Sequence, residues 1–378
     1  MTNPFEYGGV VRGDAFCNRQ QELADLVRAM ENGERLFLYA ERRLGKTSLV
    51  LSALRMLPHS KFTAAYVDLW PTDGEASFVS AVAKALAEAR SSAASKLLAS
   101  ARALFSRLTP SLTVGDDGKP VLVFGVPRDA SLEPELKEVL EAPGKLTAGG
   151  RRRVVIVFDE FQRIQEYESD RVERQLRSVI QHQSGVSYLF LGSRKHLLEP
   201  MFTGGSRPLY RAAGRYLVGP IAVEHWIPFI QAKFRAAEKR IDKARIEEVH
   251  ALTQGHPFYT QHLCHVLWER CERGSEVTSA LVDSALALLL DRESFAYSTL
   301  WDSLTLNQQR FVRGLANEPS GVQPFAGEFV RRYGLRSTSN SQRAAEALLK
   351  RDVVDRENGS FILSDRFFRL WVRQRQTL

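Results

Sequence analysis

The sequence predicts an α/β fold, a doubly wound parallel sheet carrying a phosphate loop, followed by a helical region and a C-terminal winged helix. Three observations predict it. Between about residues 35 and 220, apolar strand-like runs alternate with helical patterns, the order of a parallel sheet with helices on both faces. From about 221 to 292 the strand signals stop, and apolar residues recur at helical spacing. Beyond about 300 the order becomes helix, helix, helix, hairpin.

Strands are expected at Leu36–Tyr39, Ala64–Leu69, Val154–Phe158, Tyr188–Leu191 and Tyr216–Val218. Two alternating runs around Asp117-Gly118 read as a hairpin inserted near residues 112–125, and Gly204-Gly205-Ser206 as a turn. Four helices follow, at Val223–Arg240, Lys243–Thr253, Pro257–Arg270 and Thr278–Leu290. The last region reads as helices at Thr305–Ala316, Pro324–Tyr333 and Ser339–Arg351, the third capped by Ser339 or Ser341. Val353-Val354-Asp355 and Phe361-Ile362-Leu363 complete a hairpin. At 378 residues the chain exceeds one ordinary core, and the pattern divides it at 1–220, 221–295 and 296–378.

Composition excludes several classes. With 44% hydrophobic and 25% charged residues, the chain is ordinary for a globular protein. It has no apolar run long enough for a membrane span. Met1-Thr-Asn-Pro-Phe-Glu6 lacks the regions of a signal peptide. Its three cysteines form no disulfide framework, so a reducing cytoplasm is expected. Net charge is +8, and residues 295–378 hold thirteen Lys/Arg against eight Asp/Glu, or +5 of that total. A basic C-terminal region permits double-stranded DNA as a partner without requiring it.

The chemistry gathers in three motifs. Arg35-Leu-Phe-Leu-Tyr-Ala40 is a strand running into Glu41-Arg42-Arg43-Leu44-Gly45-Lys46-Thr47-Ser48, which opens a helix. That context gives the phosphate-loop pattern its mechanism: loop and helix N–H groups cradle phosphates. Lys46 is expected on the β- and γ-phosphates and Thr47 on Mg2+. Ala40 stands where the pattern has its first Gly. Val154-Val-Ile-Val-Phe-Asp159-Glu160 is a buried strand ending in two acids. Asp159 is expected to order Mg2+ and Glu160 to polarise the attacking water. Taken alone the acids also fit a solvated turn; the phosphate loop upstream favours the catalytic reading. Tyr188-Leu-Phe-Leu-Gly-Ser193-Arg194 is a third strand ending in polar residues. Strand ends of open parallel sheets carry active sites, so Ser193 or Arg194 is a candidate sensor of the γ-phosphate.

Arg207, Arg211 and Arg215 are candidates to act on a neighbouring subunit's nucleotide, since a guanidinium neutralises transferring phosphoryl charge. Solvated surface arginines are the alternative. Gly255-His256-Pro257 opens a helix, with Pro suited to a first turn. His262, Cys264, His265 and Cys271 show none of the usual metal-ligand spacings. In the last region Arg336, Arg343, Lys350 and Arg351 flank or line the third helix, and Arg356 sits by the wing tip. A helix with basic ends suits a major groove. Its apolar Ala344, Ala345, Ala347, Leu348 and Leu349 leave protein binding open.

Together these residues resemble the archaeal-type ATPases of the AAA+/STAND group of P-loop NTPases, relatives of the origin-initiator ATPases. The likeness runs through Asn3-Pro4-Phe5, Phe16-Cys-Asn-Arg19-Gln-Gln-Glu22-Leu23, Arg42–Leu49, Asp159-Glu160-Phe161-Gln162, Arg207-Pro-Leu-Tyr210, Gly255-His256-Pro257 and Asp365-Arg-Phe367-Phe368-Arg-Leu-Trp371. It implies ATP and Mg2+ bound between the sheet domain and a helical lid, with Arg19 and the segment from Gly255 through His256 to Pro257 bordering the adenine pocket. The chain departs from the pattern at Ala40, in lacking a Gly-Ala-Arg sensor segment in the lid, and in having no repeat array. The resulting expectation is a Mg2+-dependent ATPase acting as a nucleotide-controlled switch whose winged helix binds DNA. One alternative is a slow-turnover ATP-bound switch using its winged helix on a protein partner or a second copy. Another is a DNA-binding regulator with a vestigial loop.

Overall fold

In the computed structural model, described here over residues 2–9, 16–90, 94–115, 118, 120–125, 132–148, 152–319, 321–357 and 359–375, the chain forms two compact units. One comprises residues 20–40 and 46–218; the other comprises residues 1–19, 41–45 and 219–378.

The first unit is built on five parallel strands: β1 (Arg35–Tyr39), β2 (Phe62–Asp68), β5 (Arg153–Asp159), β6 (Val186–Gly192) and β7 (Gly214–Leu217). Their order across the sheet is β2-β5-β6-β1-β7. All five were legible as apolar runs, and their ends lie within two residues of expectation. β6 is buried along its whole length and β5 at all but its first residue, as expected where helices cover both faces. Phe158, Tyr188, Phe190, Phe161 and Phe202 form the aromatic centre of this core. Register aligns the strand ends: Tyr39 pairs with Gly192, and Asp68 with Asp159. The phosphate loop, Asp159-Glu160 and Ser193 therefore leave the same edge of the sheet. The inserted hairpin is present as β3 (Thr109–Val114) and β4 (Pro120–Gly125); Asp117, at its expected turn, lies outside the described residues.

The second unit holds helices Val223–Ala236, Lys243–Thr253, Pro257–Arg270 and Ser279–Asp302, then helices Leu306–Asn317, Gly327–Arg332 and Thr338–Lys350. The hairpin β8 (Val354–Glu357) and β9 (Ser360–Leu363) and a final helix Arg366–Gln374 complete it. Two helix ends correct the sequence reading, and a third feature was not legible in it. The helix expected to stop at Leu290 continues through Asp302. The cap of the third winged-helix helix is Ser337, whose side chain accepts from the Asn340 amide; Ser341 is buried and donates to the Pro324 carbonyl at 2.7 Å. The N-terminal segment packs here, with Phe5 buried against Phe229 and Phe234 and Asn3 donating to the His265 carbonyl at 3.0 Å. One apolar cluster runs from Phe5 through Trp226 and Leu289 to Val372, so lid and winged helix share a core.

That core contains a pH-sensitive group. His262 stacks on Tyr7 at 3.9 Å and lies near Phe258 and Phe367. Burial first, then the charges of His265, Arg292 and Arg43, lower its pKa from 6.5 to about 4. The unfolded chain then binds this proton at a pH where the folded chain does not, so the group destabilises the fold as pH falls from about 6.5 toward 4 and has no such effect above. Thermal unfolding of wild type and His262→Phe is therefore expected to diverge below pH 6.5, with the wild type losing more midpoint.

Candidate functional site

The loop between β1 and helix Lys46–Met56 is shaped by its backbone. Gly45 has φ +83°, a value that disfavours any residue with a Cβ, although a Cβ there would meet nothing within 4 Å. Arg43 also lies in the left-handed region, at φ 61°. Ala40 is buried without a positive φ, so no glycine is needed there. This is why the pattern tolerates its missing first Gly.

Lys46 begins the helix, 6% exposed, and its Nζ donates to the Ala40 carbonyl at 3.2 Å. Thr47 donates its hydroxyl to Asp159 Oδ2 at 2.7 Å. Tyr66, on the neighbouring β2, donates to the same oxygen at 2.5 Å. Burial first, then the Asp159 charge, push the Tyr66 hydroxyl well above its ordinary pKa, so it stays a donor and fixes the carboxylate. Sequence reasoning missed Tyr66; its only signal was a polar aromatic third from the end of the strand. A hydroxyl and a carboxylate this close are hard oxygen donors of the kind Mg2+ takes. Among the described residues no group of three His, Cys, Asp or Glu side chains forms an all-protein metal site. A Mg2+ held by one carboxylate, one hydroxyl and phosphate oxygens does not need one.

Glu160 follows in the left-handed region, φ 52°, capping the short 3-10 helix Phe161–Glu166. Its Oε2 accepts from the Gln162 amide and from the Ser193 hydroxyl, the latter at 2.9 Å. The structure therefore gathers Lys46, Thr47, Asp159, Glu160 and Ser193 at one strand edge. Arg194 follows Ser193 and pairs with Glu166 at 3.5 Å.

The remaining loop residues have partners of their own in the second unit. Glu41 receives Arg366 Nη2 on both carboxylate oxygens, at 2.8 and 2.7 Å, with the two side chains 10% and 5% exposed. Arg42 pairs with Asp352 at 2.9 Å, and Arg43 lies 4.3 Å from the Phe258 ring. Leu44 is buried. His256, expected beside an adenine, is 1% exposed and has its Nε2 3.0 Å from the Arg42 carbonyl; Pro257 starts its helix. Arg19 is buried and donates to the Gly219 carbonyl at 2.7 Å. The Arg366 and Asp352 contacts were invisible in sequence, because they join residues more than 300 positions apart.

Two of the arginines considered for a neighbouring subunit are engaged within their own unit. Arg207 pairs with the buried Glu173, whose pKa burial raises while Arg207 opposes the rise. Arg215 pairs with Glu199 at 3.4 Å and lies over Tyr39. Arg211 is exposed and stacks on Tyr210. On the winged helix, Arg336, Arg343 and Lys350 are exposed. Arg351 is tied to Ser303 through its hydroxyl at 2.6 Å, and Arg356 covers Phe361. Ala344, Ala345, Leu348 and Leu349 face the core, which answers the apolar character of that helix.

A family model described as an ATPase domain predominantly from Archaea matches residues 16–263, more than half of the chain. The chain belongs to this family. It is an ATP-binding P-loop ATPase, AAA+-like in fold, and a second model, described as a probable winged helix domain, matches residues 295–374. The archaeal ATPase fold is similar to the Walker-type ATPase PABY2304 of Pyrococcus abyssi, with 17% identity and a TM-score of 0.65 over 98% of this chain and 99% of that one. It is also similar to the Aeropyrum pernix ORC2 protein, at 12% identity and TM-score 0.52 in its ADP form, covering 99% and 98%. The ADPNP–ADP complexes of that protein give 13% identity and 0.51, covering 95% of each. These likenesses concern the fold. No curated protein matches the chain. Among the described residues no helix is long and apolar enough to cross a membrane.

Proposed function

We propose that this ATPase is a Mg2+-dependent nucleotide switch whose winged helix binds double-stranded DNA. The observation that carries the switch is the hold of the winged helix on the phosphate loop: Arg366 on Glu41 and Asp352 on Arg42. A change in the loop on binding or losing nucleotide has a direct charge-bearing route to the wing and final helix.

In the reaction, loop N–H groups and Lys46 hold the phosphates, while Thr47 and Asp159 hold Mg2+. When bound, the ion neutralises charge on the phosphoryl oxygens. Glu160 orients a water and takes its proton as the water oxygen bonds to the γ-phosphorus and the bond to the β-phosphate oxygen breaks. Ser193 steadies Glu160 from the neighbouring strand. ATP and water become ADP and phosphate. Arg19 and Pro257 remain candidates for the base side, and Arg211 is the candidate for acting on a second copy.

DNA binding is supported by Arg336, Arg343 and Lys350, exposed on or beside one helix whose other face is core. Duplex affinity is expected to fall steeply with salt. Arg343→Ala and Lys350→Ala are each expected to weaken binding and flatten the salt slope by about one. Fluorescence anisotropy with labelled duplex, with and without ATP, tests this. Affinity indifferent to both substitutions would favour a protein partner for the winged helix.

A further inference from the structure

Gln162 lies two residues beyond the proposed base and is 1% exposed. Its Nε2 donates to Glu160 Oε2, the oxygen that also accepts from Ser193 Oγ at 2.9 Å. Among the described residues Glu160 Oε1 accepts no hydrogen bond. The Gln162 Oε1 has no partner either. A buried amide with one end unsatisfied is a poor packing choice, so the position is explained by its donor end. The neighbouring strand makes room for it: a Cβ on Gly192 would lie 2.5 Å from Gln162 Oε1 and 2.9 Å from Leu198 Cδ2. The left-handed backbone of Glu160, φ 52°, starts the tight helix that brings residues 160 and 162 together, and the buried Phe161 and Ile164 hold that helix in place.

We propose that Gln162 is a positioning residue for hydrolysis: with Ser193 it pins one oxygen of the Glu160 carboxylate and leaves the other to receive the proton of the attacking water. The assignment rests on Glu160 being the base. A carboxylate held by two donors from two elements keeps one rotamer, and a base so fixed needs no reorganisation when water arrives. With the amide gone, Glu160 retains its charge and its Ser193 contact but gains freedom to swing. ATP binding, which uses the loop, Lys46 and Thr47, is not touched.

The test uses the full chain, ATP titrations and steady-state phosphate release. Gln162→Met keeps the length and removes the donors; Gly192→Ala crowds the amide while leaving Gln162 and Glu160 in place. Each is expected to lower kcat by about 10- to 100-fold with ATP affinity changed less than about threefold. Neither is expected to lower turnover further when combined with Glu160→Gln. Ser193→Ala, a trim of a half-buried hydroxyl, carries the same test if a core variant does not fold, and is expected to show the same split between kcat and affinity. Gln162→Met with wild-type kcat, or with ATP affinity lost in step with kcat, would overturn the positioning role while an inactive Glu160→Gln left the base in place. Wild-type turnover by Glu160→Gln would overturn both.

Discussion

Glu160→Gln is expected to bind ATP normally and to hydrolyse it about 100- to 10,000-fold more slowly than the wild type, the range a positioned base contributes. The side chain keeps its length, so Gln162 and Ser193 still have an oxygen to meet, but an amide cannot take the water's proton. Lys46, Thr47 and Asp159 are unchanged, which is why binding survives. Nucleotide titration and phosphate release on the same sample check the two halves together. Equal turnover in wild type and variant would show that the second acid of the strand merely ends it in a charged turn.

Arg366→Met is expected to destabilise the fold by about 3–5 kcal/mol, because it removes the guanidinium that meets both oxygens of the nearly buried Glu41 carboxylate. Glu41→Gln is expected to cost less than this but to act in the same direction, since Arg366 keeps a neutral acceptor and its Nη1 bond of 2.8 Å to the Leu363 carbonyl. The double variant is expected to recover part of the loss, as replacing both members of a buried pair is far milder than removing one. Urea unfolding of the three variants measures this. Additive losses would show that loop and final helix are not coupled through this pair.

The sheet was legible because parallel strands buried on both faces must be continuously apolar, and Val154–Phe158 and Tyr188–Leu191 admit little else. The site edge was legible for a related reason: Asp159 and Glu160 are charges placed where a core strand ends, and Lys46 opens the helix that follows another. Residues joined only by tertiary packing were not legible. Tyr66 reaches Asp159 across two strands that are 93 positions apart in sequence, and Arg366 reaches Glu41 across 325. Gln162 stood in the quoted motif but carried no assigned role, because a glutamine after two acids reads as a solvated turn until burial is known. Helix ends were misjudged where tertiary contact overrides local signals. Ser279–Asp302 runs past Leu290 because Tyr297 and Trp301 continue its buried stripe into the winged helix. The lid and the winged helix are distinct in pattern and share one core, which periodicity along the chain does not reveal.

If the wing answers to the loop, nucleotide must change the winged helix itself. Hydrogen exchange of amides in β8, β9 and helix Arg366–Gln374, followed in the full chain with and without a non-hydrolysable ATP analogue, reads this. The expected result is a clear nucleotide-dependent change in protection across those elements in the wild type, lost in Glu41→Gln. Identical exchange in both states, with the analogue shown to be bound at the loop, would contradict a switch built on the Glu41–Arg366 contact.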